Sequence, residues 1–314
     1  MGLAPCATVQ SVKPETIKRS SANASAGHIN AARPAQSIPQ GLKPQVLCGS
    51  SGTAKAVPFQ SLIYATGYRT ARRLLPGLSA KDGFTQHPFD IEFGVRTSGL
   101  IAGRHLKSGH LHDRHVTAYY GVAPSVFHAL IRRWRRSSSG AAMDETTFVD
   151  LGAGMGRAVL LASELGFKAV VGVELHPKLA QIARKNVNLW RSAGRSRSPT
   201  RIVEGDAVEF PLPAGAVLVF LFNPFGAAVL RRLLKGWRGD LGGRGKGLDL
   251  IYVNNEQERV LESEPGWTRL FHGNVRRSKA DAIADHKIMA NQPEGEYASS
   301  NWEDCSMWRL ETRD

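Results

Sequence analysis

The stretch Phe148-Val-Asp-Leu-Gly-Ala-Gly-Met-Gly-Arg157 decides the fold of this chain of 314 residues. It begins as an apolar strand, carries glycine at every second position from Gly152 to Gly156, and then runs into a helix. Glycine adopts positive φ without strain, and its missing Cβ lets a ligand come close to the backbone. Asp150 can accept a hydrogen bond from an amine or a hydroxyl there. The pattern predicts a loop that holds a nucleotide-type cofactor, with a plain strand-to-helix turn as the alternative.

The composition is that of an ordinary globular protein, because 42% of the residues are hydrophobic. The longest apolar runs, such as residues 214–222, are far shorter than the roughly 20 residues of a membrane-spanning helix. Cys6, Cys48 and Cys305 lie far apart and form no CxxC pair, which argues against a disulfide framework and against a zinc ribbon. This cysteine usage suits a reducing compartment, and we expect a cytoplasmic protein.

The formal net charge of +14 is concentrated in the first 250 residues. Arginines cluster at 132–136, near the end of a predicted helix, and again in a Ser/Gly/Pro-rich loop at 191–201. Such clusters could bind phosphates or an acidic protein, although arginines in the last turn of a helix also complement its dipole. The charge therefore leaves RNA binding open as an alternative function.

Three regions follow one another along the chain. Residues 1–58 are rich in Ala, Ser, Gln and Pro, contain a single acid at Glu15 and show no period, which predicts a disordered tail. An acid-poor, Ser-rich start is also typical of organellar transit peptides. Residues 59–136 are predicted to form a helical and lid extension, with helices at 61–78 and 124–134 and a loop-rich stretch at 88–100. Residues 137–314 are predicted to form the main domain.

Strands and helices alternate from Thr147 onward, which predicts a parallel sheet covered on both faces. Apolar stretches at 267–271 and 306–310 predict an antiparallel pair that covers the edge of this sheet. The predicted fold is a Rossmann-like, mostly parallel seven-stranded sheet with helices on both faces and an antiparallel closing strand. The predicted strands are 147–151, 169–174, 200–203, 216–222 and 249–254, and the predicted helices are 157–165, 177–190 and 227–237.

A polar residue stands at the end of each of the first four predicted strands: Asp150, Glu174, Asp206 and Asn223. Ligands of open α/β sheets bind beyond the carboxyl ends of the strands. Each of these residues alone could be a helix cap or a turn residue, but together they predict one site. Glu174 is placed to receive both hydroxyls of a ribose, and Asp206 could hold an adenine amino group.

The glycine spacing limits which cofactor can bind. A dinucleotide fingerprint G-x-G-x-x-G needs a third glycine where Arg157 or Val159 stands, and no G-K-S/T follows as in a P-loop. The ligand therefore has a ribose but need not have a pyrophosphate. Histidines at 105, 110, 112 and 115 precede the loop, but no cysteine or tight carboxylate set joins them in the sequence, so no metal site is predicted.

Four motifs resemble those of class I S-adenosylmethionine-dependent methyltransferases: D-L-G-A-G-M-G-R at 150–157, V-V-G-V-E-L at 170–175, E-G-D-A at 204–207 and L-F-N-P-F-G at 221–226. The resemblance covers about residues 115–262. The stretches F-G-V-R-T-S-G at 93–99 and Y-Y-G-V-A-P-S-V-F at 119–127 are similar to a group of poorly characterised bacterial members. The resemblance implies S-adenosylmethionine as cofactor, bound by Asp150, Gly152, Ala153, Gly154, Gly156, Glu174, Leu175, Asp206, Ala207 and Asn223.

The N-P-F-G run resembles the D/N-P-P-Y/F motif of amino-methylating members, with Phe225 in place of the second proline. The resemblance implies catalytic roles for Asn223, which accepts from the target amine, for Pro224, and for Phe225, which borders the methyl group. In the alternative, Pro224 merely rigidifies a strand terminus.

By the same resemblance, residues 89–120 are expected to form a lid over the site, and Tyr119 or Tyr120 to line the channel of the acceptor. We expect methyl transfer to a nitrogen of a protein side chain or of a small molecule. The alternatives are an RNA-binding protein or RNA methyltransferase, and a scaffold without turnover.

Overall fold

The computed structural model describes residues 85–101, 103, 106–137, 141–240, 247–290 and 300–311. The predicted tail at 1–58 and the predicted helix at 61–78 lie outside these residues. Within the described ranges, none of the helices combines the length and hydropathy that a bilayer crossing requires.

In the residues that the structure describes, nine strands form two sheets. A small antiparallel ribbon pairs β1 (Leu100–Ile101) with β2 (Tyr119–Tyr120). The main sheet contains β3 (Thr147–Leu151), β4 (Ala169–Glu174), β5 (Thr200–Glu204), β6 (Val217–Phe222), β7 (Leu248–Val253), β8 (Trp267–Arg276) and β9 (Trp302–Leu310). Its order is β5-β4-β3-β6-β7-β9-β8. The first five strands in this order are parallel, and β9 is antiparallel to both of its neighbours.

Seven α-helices accompany these strands in the described part of the chain: α1 (Pro88–Phe93), α2 (Pro124–Ser137), α3 (Arg157–Ser163), α4 (Pro177–Ser192), α5 (Ala227–Asp240), α6 (Glu258–Ser263) and α7 (Lys279–Ala290). Short 3-10 helices occur at Leu111–His115 and Met143–Glu145.

Alternation along the buried strands builds a core on each face of the sheet, because successive side chains of a strand point to opposite faces. Phe148 packs with residues of α2, α3 and α4, whereas its neighbour Val149 packs with residues of α5 and α6. On the first face the rings of Phe127, Phe148 and Phe220 lie 5.6 to 5.9 Å apart. Such aromatic pairs add about 0.5–1.5 kcal/mol each beyond their buried area. The predicted seven-stranded fold with helices on both faces is therefore confirmed.

The structure corrects the prediction at two places. The loop-rich stretch at 88–100 contains α1, which begins at Pro88 with the His87 ring accepting from the Phe89 N–H at 3.1 Å and ends at Gly94 with φ of 65°. A six-residue helix is too short to show a period. Helices α6 and α7 were not predicted. The predicted antiparallel pair is confirmed: β8 and β9 cover the edge of the sheet beyond β7, with β9 next to β7 and β8 outermost.

A buried guanidinium joins the segment before the main sheet to the glycine loop. Arg157, the first residue of α3, donates from Nε to Thr97 Oγ1 at 2.7 Å, from Nη2 to Thr97 O at 3.1 Å and from Nη1 to Gly121 O at 3.1 Å. A Cβ at Gly121 would lie 2.8 Å from Arg157 Cζ, so only glycine permits this approach. Asp90 accepts from the backbone N–H groups of Thr97 and Ser98 at 2.6 and 2.7 Å and lies 3.8 Å from Arg157 Nη2.

Substitution Arg157→Met is expected to lower the free energy of unfolding by about 3 kcal/mol, because it leaves buried acceptors and the Asp90 carboxylate without their cation. Urea unfolding gives the loss, and limited proteolysis is expected to cut residues 95–121 first. The matched control is Arg184→Met, which breaks an exposed 3.0 Å ion pair with Glu204 and should cost less than about 1 kcal/mol. Equal losses in the two variants would contradict this account.

Candidate cofactor and acceptor site

A cavity opens at the carboxyl ends of β3, β4, β5 and β6. Most of the residues predicted from the sequence line it, but Gly156 and Asn223 do not. Residues of the segment 106–121, which we call the covering segment, form its opposite wall. The predicted residues that line the cavity are Asp150, Gly152, Ala153, Gly154, Glu174, Leu175, Asp206, Ala207, Tyr119, Tyr120, Pro224 and Phe225.

The glycine loop has the backbone that the sequence predicts. Gly152, Gly154 and Gly156 have φ of 80°, 55° and 89°, values at which a side chain is strained. A Cβ at Gly152 would lie 2.3 Å from Pro224 Cβ, and one at Gly154 would lie 2.2 Å from the Tyr119 ring. Glycine is therefore required at both positions because of the positive φ and because neighbouring side chains leave no room for a Cβ. Through these neighbours the loop contacts both the N-P-F-G run and the covering segment.

Two buried carboxyl groups face the cavity from neighbouring strands. Glu174 Oε2 accepts from Gly154 N–H at 2.7 Å, and Oε1 accepts from His176 N–H at 2.8 Å. Burial raises the pKa of Glu174. Burial, and after it the charge of Glu174, raise the pKa of Asp150 to about 8. Both carboxyl groups therefore favour a ligand that brings positive charge to them.

The third acid contacts the covering segment. Asp206 Oδ2 lies 2.6 Å from His112 Nδ1, and Oδ1 accepts from Val208 N–H at 3.0 Å. His110 lies beside this pair, with its ring centroid 5.2 Å from that of His112. Asp113 follows His112 in the sequence, but the carboxylate that bonds the His112 ring is Asp206, which lies 94 positions away along the chain.

The N-P-F-G run is paired with the covering segment. Asn223 has φ of 41°, and its side-chain Oδ1 accepts from the Tyr252 hydroxyl at 3.3 Å instead of facing the cavity. Its carbonyl accepts from Thr117 Oγ1, and the Pro224 carbonyl accepts from Thr117 N–H at 3.3 Å. Phe225 forms an isolated bridge with Val116. The side-chain and backbone carbonyl groups of Asn223 and the Pro224 carbonyl therefore all accept hydrogen bonds from within the protein.

Aromatic side chains line the cavity beside this run. Phe222 lies edge-on to Tyr120, with their centroids 6.5 Å apart. The Tyr120 hydroxyl donates to Asp285, which is also 3.2 Å from Arg277 Nε. Burial raises the pKa of Tyr120 well above its ordinary value, so Tyr120 is a hydrogen-bond donor and not a base here. Tyr119 is fixed as well, since its hydroxyl donates to Thr97 O at 2.7 Å.

Sequence reasoning missed Arg157, His112 and Thr117. Arg157 carried a signal, because it is a charged residue at the start of the otherwise apolar run Ala158–Val159–Leu160–Leu161. The partners of His112 and Thr117 lie 94 and 106 positions away, and no local pattern identifies them.

Comparison with known families gives one match. Residues 139–196, which contain β3, the glycine loop, α3, β4 and α4, match the family described as "Histone methylation protein DOT1". The seven-stranded, mostly parallel sheet is the one that the four sequence motifs predict. The resemblance drawn from the four motifs is confirmed at this level.

Solved methyltransferase structures have distant similarity to this fold. An RNA methyltransferase from Salinibacter ruber in complex with S-adenosyl-L-homocysteine is 17% identical, with a TM-score of 0.35 over 60% of this chain and 93% of that one. An O-methyltransferase from Bacillus cereus is 14% identical, with a TM-score of 0.39 over 60% and 82% of the two chains. Magnesium protoporphyrin IX methyltransferase from Synechocystis is 11% identical, with a TM-score of 0.37 over 59% and 78%. These likenesses do not identify an acceptor. None of the curated proteins compared with the chain matches it.

Proposed function

We propose that the protein transfers a methyl group from S-adenosylmethionine to a nitrogen atom of a protein side chain or of a small molecule. The observation that carries this proposal is the placement of Asp150, Glu174 and Asp206 around one cavity, at the ends of three adjacent parallel strands. The glycine loop and Pro224 complete the same cavity.

The lining suits S-adenosylmethionine better than a dinucleotide. The cofactor carries a sulfonium and an ammonium group that complement Asp150, and it carries neutral hydroxyl and amino donors that suit Glu174 and Asp206. A pyrophosphate would be repelled by the same carboxyl groups and would find no third glycine at Arg157. Glu174 would hold the ribose hydroxyls, Asp206 the adenine amino group, and Asp150 with the glycine loop the methionine part.

A nitrogen acceptor is supported by the aromatic walls and by the N-P-F-G run. Tyr120, Phe222 and Phe225 line the cavity and can exclude water around an amine, and this desolvation favours the neutral amine that can attack the methyl group. The family description names histone methylation, which supports a protein side chain, although the matched residues 139–196 end before Asn223.

S-adenosylmethionine supplies a methyl group already activated by its sulfonium, so the protein has to orient the acceptor and exclude water. Phe225 and Tyr120 would border the acceptor. For the carbonyl groups of Asn223 and Pro224 to accept from an amine, Thr117 must first leave them. Acceptor binding would therefore displace part of the covering segment.

Substitution Glu174→Gln is expected to weaken S-adenosylmethionine binding at least tenfold in calorimetry, because an amide accepts less strongly from the ribose hydroxyls and from Gly154 N–H. The matched control is Glu204→Gln, which changes the residue paired in register on the next strand, outside the cavity. Thermal unfolding of both variants checks that they are folded. An affinity that stays unchanged in folded Glu174→Gln would count against the proposed cofactor site.

The affinity for S-adenosylmethionine is expected to fall about tenfold from pH 7.5 to pH 6.0. Asp150, with a pKa of about 8, is largely protonated below that pH in the free protein, whereas a cationic amine binds the ionised form. The amine of the cofactor stays charged over this range, since α-amino groups have a pKa of about 8. Calorimetry of wild type and Asp150→Asn measures the effect, and the variant should bind weakly with little pH dependence. Parallel pH profiles would show that Asp150 is not the responsible group.

Methyl transfer from radiolabelled S-adenosylmethionine into a lysate separated into protein, RNA and small-molecule pools tests the acceptor. Label is expected in the protein or small-molecule pool, and it should survive strong base, as an N-methyl group does and a methyl ester does not. Asn223→Ala removes the side chain that bonds Tyr252 and positions the N-P-F-G run, so it is expected to lower turnover about tenfold to a hundredfold by misplacing the acceptor. The exposed Asn188→Ala should not change turnover.

Each other outcome of that experiment has a defined meaning. Label confined to RNA, with an affinity that falls steeply with salt, would replace the proposed acceptor with RNA. Base-labile label would replace nitrogen with a carboxyl oxygen. Cofactor binding without label in any pool would favour a scaffold without turnover.

A further inference from the structure

We infer that His110, His112 and Asp206 form a binding site for a divalent transition metal ion, with zinc as the best-fitting ion. In the described part of the chain these are the residues whose ligand atoms converge, all of them within 4.8 Å of one another. The proposed function does not use the two histidines, and the site adds a ligand of a different chemical class to the same cavity.

The donor set is the first reason for choosing zinc. Two imidazoles and one carboxylate are a common set of three protein ligands for zinc, which then keeps a fourth position for water or another ligand. All three residues are partly buried, so the ion would be partly protected from solvent but still accessible to it. His112 and Asp206 line the cavity, and the fourth position would therefore open into it.

The second reason is that the histidines are held on an ordered turn. His110 precedes the 3-10 helix Leu111–His115, and its ring accepts from His112 N–H at 3.2 Å. Asp113 fixes the start of the turn by accepting from Ser108 N–H at 2.9 Å and from Gly109 N–H at 2.8 Å. The two imidazoles therefore stay close together in the absence of an ion.

Metal binding would require only a small movement. His112 Nδ1 and Asp206 Oδ2 are 2.6 Å apart as a hydrogen-bonded pair, whereas two zinc ligands in tetrahedral geometry lie about 3.3 Å apart. The ion would take the place of this hydrogen bond and of the bond from His112 N–H to His110. Because the histidines belong to the covering segment and Asp206 follows β5, the ion would fasten the covering segment to the main sheet.

Asp206 would be shared by the metal ion and the cofactor. If Asp206 holds the adenine amino group, as in the proposed function, an ion bound to its carboxylate competes with adenine. The competition rests on the proposed function, whereas the metal site itself rests only on the three side chains.

Cobalt(II) and zinc titrations of the full chain test the site. Cobalt is expected to give the strong visible absorption of a tetrahedral centre, which zinc should quench. His112→Ala and Asp206→Asn should weaken zinc binding at least tenfold, measured by competition with a chromophoric chelator. The matched control is His272→Ala, which removes another histidine paired with a carboxylate, Glu258 at 2.8 Å, and it should bind zinc as the wild type does. Thermal unfolding checks the fold of each variant.

Zinc should also weaken S-adenosylmethionine binding at least tenfold in the wild type and less than twofold in His110→Ala, which leaves Asp206 in place. Zinc binding that is equal in wild type and in folded His112→Ala would overturn the site. A histidine-dependent cobalt spectrum in a protein that does not bind S-adenosylmethionine would support the site and contradict the proposed function, so the two failures are distinguishable.

Discussion

The buried guanidinium of Arg157 is the constraint on which the rest of the structure depends. A guanidinium has five donors and stays charged, so it is buried only where acceptors surround it. The acceptors come from Thr97, Gly121 and Asp90, all in the chain before the main sheet. Arg157 begins the helix that follows the glycine loop, and the same contacts therefore place Tyr119 and Tyr120 against that loop. The residue that excludes a dinucleotide fingerprint is also the one that attaches the second wall of the cavity.

Electrostatics explain why this cavity needs a cationic ligand. Asp150 and Glu174 are buried on neighbouring strands; burial raises the pKa of both, and the charge of Glu174 raises that of Asp150 further. Arg157 lines the cavity too, but its donors are directed to the acceptors that hold the covering segment. The carboxyl groups are thus left for the ligand. A buried carboxylate without a partner destabilises the fold. It becomes favourable once a cation binds beside it.

The sequence could predict the sheet and the glycine loop because their signals are local. Strands β3 and β4 were predicted with their observed bounds, since an apolar run ends at a polar residue and a turn in each case. The conformation of Gly154 follows from its residue type and position. Contacts between distant segments have no such signal. Helix α1 is too short for a period, and helix α7 shows almost no separation of apolar and polar faces. Asn223 had the expected place at the end of β6, but the hydroxyl of Tyr252 determines where its side chain points.

The covering segment contacts both halves of the site within six positions. His112 bonds Asp206, the acid expected at the adenine, and Thr117 bonds the carbonyl groups of Asn223 and Pro224, which are expected at the acceptor. Between these two residues, His115 O accepts from Gly226 N–H at 3.1 Å. The stretch 112–117 is therefore hydrogen-bonded to the main domain at His112, at His115 and at Thr117. A ligand that displaces His112 therefore loosens the segment that occupies the acceptor carbonyls. If the protein binds S-adenosylmethionine at Asp206, binding of the cofactor and opening of the acceptor site are coupled through this one short stretch of chain, and the coupling acts equally in both directions.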